Sequence, residues 1–189
     1  MNDAHLEFLA SPAWAHWLER ELIPWLDGVG DLGDELLEIG PGPGLTTDLL
    51  RTRVARVTAV ELDASLADAL ARRMTPSNVE VVQADATESG LPSDRFSAVA
   101  CFSMLHHIPS PAEQDRLFLE VLRMLRPGGL FVATDSQDRD VIRAFHEGDI
   151  FVPVGADGVA ERLASAGFVA IDVTTTEFEV RLSARKKER

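Results

Sequence analysis

"LLEIGPGPGLTTDLL", residues 36–50, joins a short apolar run ending in a glutamate to a loop with glycine at every second position. The apolar run predicts a strand over 36–39, and the apolar spacing after the glycines predicts a helix over about 45–51. Glycine at this density indicates a loop whose backbone a ligand can approach closely. The stretch therefore predicts a strand–loop–helix unit with a binding site at its loop.

The rest of the chain repeats this alternation of short β-type runs and helical stretches. Further strands are expected over about 56–60, 79–83, 96–102 and 130–134, and helices over about 12–26, 64–73, 111–125 and 157–166. Two β-rich runs, about 168–176 and 178–185, are close enough to form an antiparallel pair at the sheet edge. The alternation predicts an α/β fold around a mostly parallel sheet.

The length of 189 residues fits a single domain with a full-sized core. We divide residues 1–189 into an N-terminal helical segment (1–33), a ligand-binding core (34–134) and a substrate-side segment with the C-terminal strands (135–189). Within the last part, 135–156 is less regular than the rest.

The composition argues against several classes of partner. No stretch is long and apolar enough to cross a bilayer, and "MNDAHLEFLA" lacks the basic and apolar regions of a secretory signal. The single cysteine, Cys101, cannot form an internal disulfide, so a cytoplasmic location is the simplest interpretation. A net charge of −13 repels nucleic acid, and "RKKER" at 185–189 is typical of a solvated tail. We therefore expect neither a membrane nor a nucleic acid as partner.

Chemically informative residues follow the predicted strands at their carboxyl ends. They are Glu38 to Gly44, Glu61, Asp85, and Phe102 to His107. Ligands of open α/β sheets bind beyond these strand ends, so we expect the residues to converge in space.

The glycine loop does not fit a dinucleotide. The third glycine of G-x-G-x-x-G would fall at Leu45 or at Thr47, depending on the register. In addition, Glu38 would meet an anionic pyrophosphate with a carboxylate in a partly desolvated cleft. The loop is better suited to a nucleoside that carries positive charge in place of phosphates.

Two acidic side chains are candidates for binding that nucleoside. Glu61 ends the second strand, where a carboxylate can accept hydrogen bonds from both ribose hydroxyls. Asp85 follows the third strand and can accept from an exocyclic adenine amine, while Leu62 and Ala86 would contact the ring.

The motifs together resemble the class I, seven-stranded Rossmann-like methyltransferases that use S-adenosylmethionine. "LEIGPGPG", "VTAVELD", "VQADA", "FSAVACFSMLHHI" and "LRMLRPGGLFVATD" occur in the order of that family, over about 36–134. The resemblance implies a three-layer sandwich with a seven-stranded, mostly parallel sheet and an antiparallel C-terminal edge hairpin. It also implies S-adenosylmethionine as cofactor and S-adenosylhomocysteine as product.

The resemblance assigns roles by position. Glu38 and the loop formed by Gly40, Pro41, Gly42 and Gly44 would hold the methionine part, with Glu61 on the ribose and Asp85 on the adenine. Phe102 and Ser103 would line the cleft near the sulfonium. His107 would lie close by as a cofactor contact and the candidate catalytic base, and we expect it rather than His106 to face the cleft.

Three functions stay open. The leading one is methyl transfer to a small, neutral or cationic acceptor, as the acidic balance of the chain suggests. The resemblance also disfavours amide or base nitrogens as acceptors, because no (Asn/Asp)-Pro-Pro-(aromatic) motif follows the fourth strand. The others are a non-catalytic S-adenosylmethionine-binding module and an NAD-dependent oxidoreductase. The sequence predicts neither the acceptor nor the oligomeric state. We expect no metal site, because His146, Glu147 and Asp149 are too close in sequence to ligate one ion together.

Overall fold

The computed structural model describes residues 2–188, with every side chain among them except that of Asp3. Residue 189, the last of the predicted basic tail, lies outside the described residues, as does residue 1. Seven strands occur in the described part: β1 (Glu35–Ile39), β2 (Arg56–Glu61), β3 (Val79–Gln83), β4 (Phe96–Phe102), β5 (Leu125–Ser136), β6 (Phe168–Thr175) and β7 (Glu179–Lys186).

The strands form one mixed sheet in the order β3-β2-β1-β4-β5-β7-β6. Neighbours among β1 to β5 pair in parallel, whereas β7 runs antiparallel to both β5 and β6. The predicted fold class, with its edge hairpin, is confirmed. Because β2 and β3 lie on one side of β1 and β4 and β5 on the other, the order reverses beside β1, where open sheets bind ligands.

Helices cover both faces of the sheet. The α-helices of residues 2–188 are α1 (Asp3–Leu9), α2 (Pro12–Trp17), α3 (Ile23–Val29), α4 (Leu45–Leu50), α5 (Ala64–Met74), α6 (Pro111–Met124), α7 (Asp140–Phe145) and α8 (Ala156–Ala166). A π-helical turn, Leu18–Leu22, joins α2 to α3, and short 3₁₀ turns lie at Ala86–Glu88 and Leu105–His107. No helix in the described range has both the length and the apolar character needed to span a bilayer.

Alternate residues of the strands belong to two separate cores. Leu37 packs into a core shared with α6 and α8, whereas its neighbour Leu36 packs into a core shared with α2, the π-helical turn, α3 and α4. Side chains of a strand alternate between the faces of a sheet, so each face is covered by its own helical layer. The result is the three-layer arrangement.

Several boundaries differ from the sequence prediction. The first long helical segment contains the π-helical turn and continues to Val29 rather than ending near 26. Strand β5 begins at Leu125, because Leu125 pairs with Phe96 ahead of the "RPGG" stretch. Residues 126–129 form an irregularity in the ladder, and the pairing with β4 resumes where Leu130 meets Ala98. The short helices α1 and α7, of seven and six residues, were not predicted.

Candidate functional site

A cavity of about 750 Å³ lies at the carboxyl ends of the parallel strands. The predicted site residues that line it are Gly40, Pro41, Glu61, Leu62, Asp85, Ala86, Phe102, Ser103 and His107. Glu38, Gly42 and Gly44 are not among its lining residues. The sheet thus brings together side chains from four strand ends that are distant in sequence.

The three loop glycines share a backbone conformation but differ in the space available for a side chain. All have left-handed backbone angles, with φ of +68° at Gly40, +53° at Gly42 and +85° at Gly44. A Cβ at Gly40 would overlap the side chain of Met104, and one at Gly44 would overlap Leu70, whereas a Cβ at Gly42 meets nothing within 4 Å. Gly40 and Gly44 are therefore needed for packing as well as conformation, whereas Gly42 is needed for its left-handed conformation alone.

Glu38 lies behind the cavity wall. Its side chain is 1% exposed, and its two carboxylate oxygens accept hydrogen bonds from the hydroxyls of Thr46 and Thr47. Burial raises the pKa of Glu38 to about 7, against the opposing effect of the two hydroxyl hydrogen bonds. Because Thr46 lines the cavity, Glu38 is one side chain removed from it and ties the end of β1 to the first turn of α4.

Glu61 connects the cavity wall to the glycine loop. Its Oε2 accepts a hydrogen bond from the Gly42 amide at 3.0 Å, and its Oε1 accepts one from the Asp63 amide at 3.0 Å. Each oxygen keeps further lone-pair capacity for a ligand hydroxyl. Glu61 therefore positions the loop and can bind a ligand at the same time.

Asp85 caps the short 3₁₀ turn that follows β3. Its Oδ1 accepts hydrogen bonds of 2.8 Å from both the amide and the hydroxyl of Thr87. The capping fixes the carboxylate at the cavity wall.

Ser103 holds a strained conformation at the end of β4. Its φ of +52° is left-handed, a region that residues with a Cβ rarely adopt. A hydrogen bond of 2.8 Å from its amide to the Thr134 carbonyl keeps it there. Strain of this kind is frequent at ligand sites, and both Ser103 and its neighbour Phe102 line the cavity.

The remaining wall of the cavity is largely apolar and was not predicted. Leu6 and Leu9 of α1, Trp14 of α2 and Ile150 line it. No local signal in the sequence distinguishes an apolar residue that lines a cavity from one that packs in the core. Trp14 does both, since it stacks on Trp17 at 4.7 Å and also lines the cavity.

Four of the five histidines of the chain meet beside this wall. Candidate ligand atoms of His5, His106, His107 and His146 all lie within 4.8 Å of one another. Of the four, His107 lines the cavity, and His106 is fully buried. The sequence analysis considered His146 only with its acidic neighbours, and the partners that the structure gives it come from other elements.

Burial disfavours the charged form of His5, His107 and His146. It lowers the pKa of His5 to about 4 and that of His107 to about 3, with neighbouring histidines adding to the effect in both cases. The pKa of His146 is also lowered, again chiefly by burial. Neutral imidazoles carry a lone pair, which is the form that binds metal ions.

The known proteins named below, which the chain resembles, are all methyltransferases. Residues 37–133, about half of the chain, match the family described as a methyltransferase domain. Over 89 residues, the chain is 42% identical to a probable ribosomal RNA small subunit methyltransferase A of Methanopyrus kandleri, covering 47% of this chain and 31% of the relative. Over 146 residues, it is 32% identical to a ubiquinone biosynthesis O-methyltransferase of Pseudomonas fluorescens, covering 68% of this chain and 61% of the relative.

The chain thus spans less than two thirds of the length of either sequence relative. A solved S-adenosylmethionine-dependent methyltransferase from Mesorhizobium loti shares its fold, with a TM-score of 0.73 at 19% identity over 91% of this chain and 98% of that one. By its family match and its fold, the chain belongs to the class I S-adenosylmethionine-dependent methyltransferases.

Proposed function

We propose that the protein transfers a methyl group from S-adenosylmethionine to a small acceptor with an apolar body. The observation that carries this proposal is the composition of one cavity, which has carboxylates at the ends of β2 and β3 and an apolar wall from α1 and α2. A cofactor and an acceptor can therefore occupy adjoining parts of one cavity.

The cofactor side fits S-adenosylmethionine. Glu61 and Asp85 offer carboxylate oxygens to ribose hydroxyls and to the adenine amine, and Gly40 and Pro41 of the glycine loop line the same cavity. The acidic side chains suit a sulfonium, and they would repel a diphosphate. Together with the family match, this leaves the nicotinamide oxidoreductase without support.

The acceptor side lies on the other flank of β1. Residues after β4, such as Ser103 and His107, line the cavity together with Leu6, Trp14 and Ile150. A wall of this kind suits an apolar or aromatic molecule that presents its nucleophile toward the sulfonium. The Pseudomonas relative is named as a ubiquinone biosynthesis O-methyltransferase, and this name supports a small-molecule acceptor.

S-adenosylmethionine supplies a methyl group already activated by positive sulfur. The work left to the chain is to hold the acceptor in line and exclude water, which can lower a barrier by roughly 7–11 kcal/mol in favourable cases. His107 was the candidate base, but a pKa of about 3 makes its imidazole a weak proton acceptor. We therefore assign His107 a contact at the cavity wall and no proton transfer.

The proposal is tested by following S-adenosylhomocysteine formation with a panel of small phenols, amines and thiols. Turnover with an apolar acceptor is expected, and Trp14→Ala should raise the acceptor KM while leaving the affinity for S-adenosylhomocysteine unchanged. Trp25→Ala is the matched control, because Trp25 packs in the same core and does not line the cavity. Tight cofactor binding without turnover of any acceptor would instead identify a non-catalytic binding module.

A further inference from the structure

We propose that His5, His106, His107 and His146 bind one divalent transition-metal ion of the Zn²⁺ class, which fastens α1 and the end of α7 to the sheet. The four side chains come from α1, from the 3₁₀ turn after β4 and from the residue that follows α7. This site is separate from the cofactor contacts of Glu61 and Asp85.

The first argument is the pair of Nε2 atoms at the centre of the cluster. His106 Nδ1 hydrogen-bonds Asp135, and His146 Nδ1 donates to the Ile142 carbonyl at 2.7 Å. These bonds turn both Nε2 lone pairs toward each other at 3.0 Å. Two lone pairs at this distance repel unless a proton or a cation lies between them.

The second argument is the unused nitrogen atoms around that pair. His5 Nδ1 and both ring nitrogens of His107 are buried and have no hydrogen-bond partner within the described part of the chain. Buried polar atoms are normally paired, and an unpaired one calls for an explanation such as an ion. A single proton between His106 and His146 would leave the nitrogens of His5 and His107 unsatisfied, whereas a metal ion can satisfy one from each ring.

The third argument is the arrangement of carboxylates behind the histidines. Asp135 is 1% exposed and orients His106 from the side opposite the cluster, as carboxylates do behind metal-bound histidines. Asp149 Oδ2 lies 3.8 Å from His107 Nδ1. Asp149 Oδ2 also accepts a hydrogen bond from the Asn2 amide, and the two carboxylates place negative charge beside the cluster, which favours a cation there.

The donor set selects the class of metal. Imidazole nitrogen suits Zn²⁺, Co²⁺, Ni²⁺ and Cu²⁺, whereas Mg²⁺ and Ca²⁺ prefer oxygen. With Zn–N bonds of about 2.0–2.1 Å, tetrahedral ligands lie roughly 3.3 Å apart. The central pair is already near this spacing, and the outer histidines, at up to 4.8 Å, must approach slightly. Four protein ligands close the coordination sphere, so the role is structural.

The site is tested on the full-length protein, with Zn²⁺ binding measured by equilibrium dialysis and metal analysis and with the visible spectrum of the Co²⁺ form. Wild type is expected to bind a single ion with a tetrahedral Co²⁺ spectrum and to melt at a higher temperature when Zn²⁺ is added. His5→Gln should weaken binding by about tenfold or more, and Asp135→Asn by about 10–100-fold.

His16→Gln is the matched control, because His16 is exposed on α2 and outside the cluster. It should bind like the wild type. His5→Gln changes only the short helix α1, so a retained circular dichroism spectrum would show that lost binding is not lost folding. Absence of binding by folded wild type, or equal affinity in folded wild type and His5→Gln, would overturn the proposal. These measurements need neither cofactor nor acceptor, so they stand apart from the test of methyl transfer.

Discussion

Glu61 serves both the glycine loop and the cavity, because its two oxygens accept hydrogen bonds from the amides of Gly42 and Asp63 at 3.0 Å each. If the same carboxylate also accepts the ribose hydroxyls, Glu61→Ala removes two charge-assisted bonds to the ligand. We expect a loss of about 1–3 kcal/mol in S-adenosylhomocysteine binding, or roughly 5–150-fold, measurable by calorimetry.

The control for this loss is Glu88→Ala, since Glu88 is exposed and does not line the cavity. Its affinity should equal that of the wild type. An unchanged affinity in Glu61→Ala would mean that the ribose binds elsewhere.

Glu38 is expected to lower the free energy of unfolding as the pH rises, which is the opposite of what a carboxylate with a lowered pKa does. Its pKa in the folded state is about 7, above the ordinary value of 4.5, chiefly because of burial. Between these two values the folded state binds more protons than the unfolded state, so the free energy of unfolding contributed by Glu38 falls as pH rises. Glu38→Gln lacks this titration.

Relative to wild type, Glu38→Gln should therefore gain roughly 1–3 kcal/mol of stability between about pH 5 and pH 8. Urea denaturation of both proteins across this range measures the difference. Parallel stability curves for the two proteins would rule out an elevated pKa at Glu38.

The glycine loop, as an element, separates packing from ligand access. Gly42 and Gly44 both have left-handed φ angles, but a Cβ at Gly44 would overlap Leu70 and a Cβ at Gly42 would meet open space. We expect Gly44→Ala to lower the free energy of unfolding by about 1–3 kcal/mol more than Gly42→Ala does. Gly42→Ala should instead have the larger effect on cofactor affinity relative to its effect on stability, because the Gly42 amide donates to Glu61 Oε2 at the cavity wall.

Denaturation and calorimetry on the same two variants distinguish these effects. Equal stability losses would show that backbone conformation, common to both positions, is the sole requirement.

Helix α6 begins with a side-chain cap. Ser110 Oγ accepts a hydrogen bond from the Glu113 amide at 3.2 Å, and Pro111 occupies the first turn. Ser110→Ala should cost about 0.5–2 kcal/mol of stability, visible as a lower melting temperature. Ser165→Ala on the exposed face of α8 is the control and should leave stability unchanged or slightly raised, because alanine favours helix. Equal melting temperatures in the two variants would contradict a capping role for Ser110.

The elements that could be predicted are those whose signal is local. The parallel strands are short, mostly apolar runs, and α8 ends at the predicted boundary, residue 166, after which Gly167 takes a left-handed φ of +111°. The π-helical turn inside Pro12–Val29 could not be predicted, because its buried leucines fit a regular helical stripe equally well. Tertiary packing decides between the two.

At the scale of the whole molecule, the two sides of the cavity differ in how predictable they were. Glu61 and Asp85 follow strand ends, and a parallel sheet brings such residues to one edge regardless of its details. The apolar wall and the histidine cluster depend on where α1 and the segment after α7 dock. No rule of sheet topology places these segments, so His5 and His146 gave no sign of being neighbours.

The Methanopyrus relative is named as a probable ribosomal RNA methyltransferase, so a nucleic acid must be considered as the acceptor. The charge of the whole molecule favours a small acceptor over a nucleic acid. A net charge of −13 opposes binding to a phosphate backbone, and this repulsion is strongest at low salt. We therefore expect no binding to fluorescently labelled ribosomal RNA fragments at about 50 mM salt. A basic RNA-binding protein, by contrast, binds more tightly as the salt concentration falls. In cell extract supplied with labelled S-adenosylmethionine, the purified protein should transfer label to the small-molecule fraction and leave RNA unlabelled. Label in the RNA fraction would contradict the small-acceptor proposal while leaving the cofactor site intact, because both kinds of acceptor need the same carboxylates at the ends of β2 and β3.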